Sequence, residues 1–112
     1  MATQEQCSAA VSDVVERFNS HDAGPKRQRV PRRSVAVTVL DLDVTFKGDL
    51  IDGYIVDVRR STTHRADLRL LCTSDDLLGL VAGEIPFVHA WSSGRIRIDA
   101  SIVDLIKLRA LV

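Results

Sequence analysis

At Ser34 the apolar residues change period. Val35, Val37 and Val39 alternate with Ala36 and Thr38, the pattern of a strand with one face buried. The segment before Gly24, and the segments after Thr73 apart from 95–99, instead carry apolar residues at helical spacings. A block of strands bracketed by one-sided helices has few outlets. The sheet must hide a face, and the helices are what the chain has to hide it with. The expected class is α+β: a five-stranded, mainly antiparallel sheet with helices layered on one face. At 112 residues the chain has the length of one domain, which at this size buries about two thirds of its unfolded surface without covalent staples. We expect residues 1–112 to form one domain, with an N-terminal helix in 1–24, a basic connector in 25–33, and the sheet and C-terminal helices in 34–112.

Turn chemistry sets the strand boundaries. After Val39 the phase flips: Leu42, Val44 and Phe46 are apolar, whereas Asp41, Asp43, Thr45 and Lys47 are polar. A one-residue slip exchanges the two faces of a strand, so the flip marks a turn or bulge near Asp41–Asp43, between strands at 35–41 and 44–50. Asp52-Gly53 between apolar pairs signals a two-residue hairpin leading into a third strand from Tyr54 to Arg59. In a fourth strand Leu68, Leu70 and Cys72 share one face, with Asp67 and Arg69 on the other. In a fifth, Arg95 to Asp99, Ile96 and Ile98 point opposite to Arg95 and Arg97.

The helices carry their own start and stop signals. Thr3 and Gln6 form a capping box, followed by a stripe of Cys7, Val11, Val14 and Phe18 that should end near Asn19–Asp22, before Gly24-Pro25. Thr73 and Asp76 cap a second helix, whose apolar side is Leu77, Leu78, Leu80 and Val81 and whose end is Gly83. Pro86 opens a short helix through Trp91, stopped by Gly94; Phe87 and Trp91 lie four apart on one of its faces, suited to the core or to a pocket wall. Ser101 and Asp104 cap a final helix to Val112. Ile102, Val103, Leu105, Ile106, Leu108, Leu111 and Val112 cover more of that helix than one core-facing stripe needs. The surplus has to be buried by more of the domain, a partner chain or an apolar ligand.

Composition narrows the function. Fifteen Lys and Arg balance fifteen Asp and Glu, so the chain lacks the net positive footprint of a nucleic-acid binder. No apolar run approaches the roughly 18–20 residues of a membrane span, and the N-terminus lacks the basic start and apolar run of a signal peptide. Cys7 and Cys72 have no ligand-like spacing and are expected as free buried thiols in a reducing cytoplasm. The one strong charge run is 25–33, where Lys26, Arg27, Arg29, Arg32 and Arg33 accompany two prolines. It serves as a solvated connector or as a patch for transient contact with an anionic membrane.

The segment from Thr73 to Ile98 resembles the C-terminal signature of the sterol-carrier-protein type-two family, the non-specific lipid-transfer domains. The places that carry the likeness are Asp76, Leu77, Leu78, Leu80, Gly83, Glu84, Ile85, Ala90, Trp91, Gly94, Arg95, Ile96, Arg97 and Ile98, within a match over 66–112. The chain departs from the family at Asp99-Ala100, where a Gly or small residue often stands, and its Ala-Leu-Val terminus is not a peroxisomal address. The resemblance implies binding or transfer of an apolar ligand (fatty-acyl, sterol or other lipid) in a cavity between sheet and helices. The ligand-binding candidates are Leu77, Leu80, Val81, Ile85, Phe87, Trp91, Ile102, Leu105 and Leu108. The alternatives are a ligand-free homodimeric interaction module and an accessory domain to a separate enzyme.

Catalysis is not expected. The sequence has no nucleophile elbow, zinc-protease, Walker or dinucleotide motif. His21, His64 and His89 are scattered, with His89, two residues from Trp91, the one placed to reach a pocket mouth. Asp41, Asp43, Asp49 and Asp52 lack the order of a calcium loop and suit turns and a solvent face. No cofactor or metal is expected.

Overall fold

Thr3 and Gln6 cap each other as their spacing predicts. The Thr3 N–H donates to Gln6 Oε1 at 2.9 Å and the Gln6 N–H to Thr3 Oγ1 at 3.1 Å, which starts α1 (Gln4–Ser20). The computed structural model describes residues 2–20, 32–63 and 65–100. After α1 come β1 (Arg33–Val39), β2 (Val44–Ile51), β3 (Tyr54–Ser61), β4 (Leu68–Cys72), α2 (Ser74–Val81), α3 (Phe87–Ser92) and β5 (Arg97–Asp99). The final segment 101–112, with Ile102, Leu105 and Leu108, lies outside the described residues, as do 21–31 with Lys26, Arg27 and Arg29.

The five strands form one mixed sheet in the order β3-β2-β1-β4-β5. The pairs β1–β2, β2–β3 and β4–β5 are antiparallel, while β1–β4 is parallel. The parallel junction arises because β2 and β3 build away from one edge of β1, so the chain crosses back to dock β4 on the other. Register puts Val35, Val37 and Val39 in line with Leu68, Leu70 and Cys72 on one side of β1, and with Gly48, Phe46 and Val44 on the other. That face meets the helices. Val39, Val44, Phe46 and Cys72 are buried there with Cys7, Ala10 and Val11 of α1, Leu77 of α2, Ala90 of α3 and Ile96. On the opposite face the hydroxyls of Thr38 and Thr45 satisfy each other at 3.1 Å, so neither is buried without a partner.

Several details differ from expectation, and β3 runs on to Ser61 rather than ending at Arg59. β1 begins at Arg33, inside the expected connector, and stops at Val39 because residues 40–43 turn, with Asp43 at φ 50°. β5 spans only Arg97–Asp99: Gly94 sits at φ 83° and the Ile96 N–H donates to the Ala90 carbonyl, so 95–96 still wraps the end of α3. The stripe of α1 is buried at Cys7, Ala10 and Val11, but Val14 and Phe18 are 41% and 42% exposed.

A bulge in β3 shapes one side of the inner face. Arg59 pairs with Lys47 and Val56 with Asp49, so Asp57 and Val58 together oppose Gly48. Asp57, at φ 57°, is the extra residue. The bulge reverses the side-chain alternation, so Ile55 and Val58 both stand over Gly48, where an added Cβ would lie 3.3 and 3.2 Å from their methyl carbons.

Candidate functional site

Between the helices and the inner face of the sheet lies an apolar cavity of about 370 Å³. Val35, Val37 and Phe46 of the central strands make its floor, extended by Leu68 and Leu70 of β4 and Ile98 of β5. Val11, Val14 and Val15 of α1 face it from above, with Leu77, Leu80 and Val81 of α2 and Phe87 of α3. Gly48, Ile55 and Val58 form the side at the β3 bulge. Within the central strands the floor is short at Val35 and Val37, with Phe46 beside Val37 and no side chain at Gly48 beside Val35. The roof is braced from outside: Arg17 of α1 donates to the Val81 carbonyl at 2.9 Å and pairs with Asp13 at 2.8 Å.

Four residues named from the sequence stand in this wall: Leu77, Leu80, Val81 and Phe87. Ile85 and Trp91 pack against the core instead; Ile85 sits over Gly79, and the Trp91 ring meets Phe87 with centroids 6.1 Å apart. Ile102, Leu105 and Leu108 lie outside the described residues. The sequence also understated the sheet's share. The alternation of Val35 with Val37 and of Leu68 with Leu70 identifies the inner face, but Gly48, Ile55 and Val58 join the wall through a bulge that no local pattern marks. Of the basic candidates, Arg32 is exposed and Arg33 heads β1, its guanidinium donating to the Arg32 carbonyl at 2.9 Å. His89 is exposed on α3, outside the wall; His21 and His64 are not among the described residues. Asp76 and Arg95, two positions of the sequence likeness, meet as an ion pair at 3.3 Å.

The chemistry available in the cavity is burial. Among the described residues no group of three or more His, Cys, Asp or Glu is arranged to hold a metal ion. Cys7 and Cys72 are free and buried, and burial pushes the Cys72 thiol up to about 12, so it is no nucleophile at neutral pH. A second, open hollow beside Ser34, Asp67 and Asp99 is polar, and four of its groups engage one another. Arg69 pairs with Asp99 at 2.7 Å, and Asp67 accepts from both the N–H and the hydroxyl of Ser34. No described helix is long and apolar enough to cross a membrane.

No protein-family model matches the sequence, and no curated protein matches it. Solved structures do. Sterol carrier protein 2 like 2 from Aedes aegypti superimposes with a TM-score of 0.68 at 14% identity, covering 97% of this chain and 98% of that one. This chain has the sterol carrier protein 2 fold. Sterol carrier protein 2 from the same mosquito, in complex with the C16 fatty acid palmitate, matches with a TM-score of 0.61 at 16% identity, over 99% of this chain and 96% of that one. A UbiJ–SCP2 ubiquinone synthesis protein matches with a TM-score of 0.56 at 16% identity, over 99% and 92%. The sterol carrier protein 2 fold therefore accounts for nearly the whole chain, and its helix-over-sheet layering is the frame in which the cavity sits.

Proposed function

We propose that this domain binds a lipid, a fatty-acyl, sterol or similar apolar molecule, in the cavity between α1, α2 and the sheet, and carries it without chemical change. The observation that carries the proposal is the cavity itself. Its volume of about 370 Å³ falls within the range of ligand pockets, roughly 300–1,000 Å³. Its wall is predominantly apolar, so affinity would come from apolar area removed from water, at about 25 cal/mol per Å². Such a wall has few fixed polar contacts and implies broad selectivity. The fold neighbour in complex with palmitate supports the same chemistry. Two unpaired buried thiols suit a reducing compartment, which supports a cytoplasmic setting.

Native mass spectrometry with added palmitate tests the proposal. The expected result is a one-to-one adduct that Leu80→Trp, which fills the cavity from α2, removes without unfolding the protein. A protein that stays empty across a lipid panel and runs as a dimer would instead favour a homodimeric module; an empty monomer would favour an accessory role beside an enzyme. Delivery to anionic membranes through the basic connector adds one expectation. Vesicle association should weaken at high salt by screening and on replacing Arg32 and Arg33 by Gln.

A further inference from the structure

A ligand in this cavity has to pass through its wall. The floor is continuous hydrogen-bonded sheet. The side toward α2 is closed by Cys7, Val11 and Leu77 in one buried cluster and by the Arg17 bond to the Val81 carbonyl. The side toward β3 differs. β3 is an edge strand, and the hydrogen bonds described between it and α1 stand at opposite ends of the helix. At the start, Arg60 donates to Gln4 Oε1; at the end, Asn19 meets Ile55. Between those ties the facing groups are apolar cavity residues, Val14 on the helix and Val58 on the strand, 41% and 37% exposed. Half-exposed wall residues on two facing elements mark where the cavity reaches solvent.

The Asn19 tie has an unusual form. Its side-chain amide donates to the Ile55 carbonyl at 2.9 Å and accepts from the Ile55 N–H at 2.8 Å, pairing with the outer edge of β3 as a neighbouring strand would. Ile55 is itself a wall residue. We propose that ligand enters and leaves between α1 and β3, and that Asn19 is the positioning residue that latches this portal. The proposal rests on the cavity being a lipid site. Asn19 touches no ligand; it sets how often α1 parts from the strand edge.

Stopped-flow uptake and release of the fluorescent fatty acid cis-parinarate, displaced by palmitate, tests this. Asn19→Ala is expected to speed both uptake and release about tenfold, the factor that two hydrogen bonds together represent, with affinity changed far less. Asn19→Asp keeps an acceptor for the Ile55 N–H but cannot donate to its carbonyl, so it should fall between. A purely structural role would instead lower the unfolding temperature and the affinity together, without a matched change in the two rates. Val14→Trp, at the exposed rim, leaves the latch in place and should slow both rates; it decides the matter if Asn19→Ala does not fold. Folded Asn19→Ala exchanging fatty acid at the wild-type rate, or Val14→Trp without effect, would overturn the portal. Wild-type protein that takes up no fatty acid at all would remove the lipid site and the portal together.

Discussion

The carboxylate of Asp41 holds Ser74 by both of its donors, the backbone N–H at 2.8 Å and the hydroxyl at 2.6 Å. Ser74 is the first residue of α2, where N–H groups have no partner within the helix, and a negative charge there opposes the positive end of the helix dipole. The Ser74 hydroxyl oxygen in turn accepts from the Ala2 N–H at 3.1 Å, so the β1–β2 turn, α2 and the lead into α1 meet at one buried serine. The Ser74 hydroxyl, and then its N–H, hold the Asp41 carboxyl below its usual range, and the Ser34 N–H does the same for Asp67. A carboxyl depressed in the folded state stabilises the fold above its unfolded pKa, near 3.9, and that contribution is lost as pH falls through the folded value. Urea midpoints should therefore hold steady through mildly acid pH and drop below about pH 4. Asp41→Asn should start lower and fall less steeply. A variant with the full wild-type acid slope would show that Asp41 does not carry it.

Gly79 lies inside α2, where Ala would ordinarily gain about 1 kcal/mol over Gly. Here an added Cβ would stand 2.6 Å from Ile85 Cδ1 and 3.0 Å from its Cγ1. The Gly79 carbonyl also accepts from the N–H groups of Glu84 and Ile85, which fixes that backbone over the site. Overpacking costs roughly 1–3 kcal/mol, so Gly79→Ala should destabilise by about 1 kcal/mol net. Adding Ile85→Val, which removes the closest atom, should recover most of it. A single Gly79→Ala more stable than wild type in chemical denaturation would refute the packing argument.

What was legible in the sequence was local. Thr3 with Gln6, Asp52-Gly53 and Thr73 with Asp76 each complete a hydrogen bond or turn within a few residues, and each element begins or turns where they stand. The inner-face alternation of β1 and β4 was equally plain. Most of the misreadings need a partner far along the chain; the late start of β5 is a local one. Val14 continues the stripe of α1 perfectly, yet it faces a hollow rather than a packed core, so it stays half exposed. Asp57 becomes a bulge only because Gly48 on another strand lets Val58 and Ile55 close over it. Asp41 looked like a turn residue and is one, but its bonds to Ser74 span 33 positions. Arg95 alternates like a strand residue, but Gly94 and the tether of Ile96 to Ala90 delay the strand by two residues. The cavity is a product of such distant meetings, which is why much of its wall cannot be named from local patterns.

The two buried cysteines report on the core between α1 and the sheet. Burial pushes the Cys7 thiol up, with the charges of Asp41 and Asp75 adding to it, and pushes Cys72 up to about 12. A thiol raised in the folded state favours folding below its unfolded pKa, and stability declines as pH rises above about 8.5, where the unfolded thiol ionises. Iodoacetamide at pH 8 should leave both residues unmodified in the native protein and alkylate both in denaturant, as read by intact mass. Native labelling at the rate of a free thiol would mean that this part of the core opens readily.

Trp91 stands one ring behind the cavity. Its partner Phe87 is in the wall, with the two rings tilted 55° at 6.1 Å, and Trp91 is the chain's single tryptophan. A lipid that fills the cavity changes what Phe87 packs against and so shifts the surroundings of the indole. Palmitate should therefore change Trp91 emission saturably, in step with the heat of binding. Phe87→Leu should suppress the optical signal while calorimetry still registers binding, because the ligand gains its affinity from the whole apolar wall. Binding heat with unchanged emission would place the lipid away from α3, against Val11, Val35 and Leu68 instead. Flat emission together with silent calorimetry, across acyl and sterol ligands, would leave the cavity unfilled and the carrier function without its physical basis.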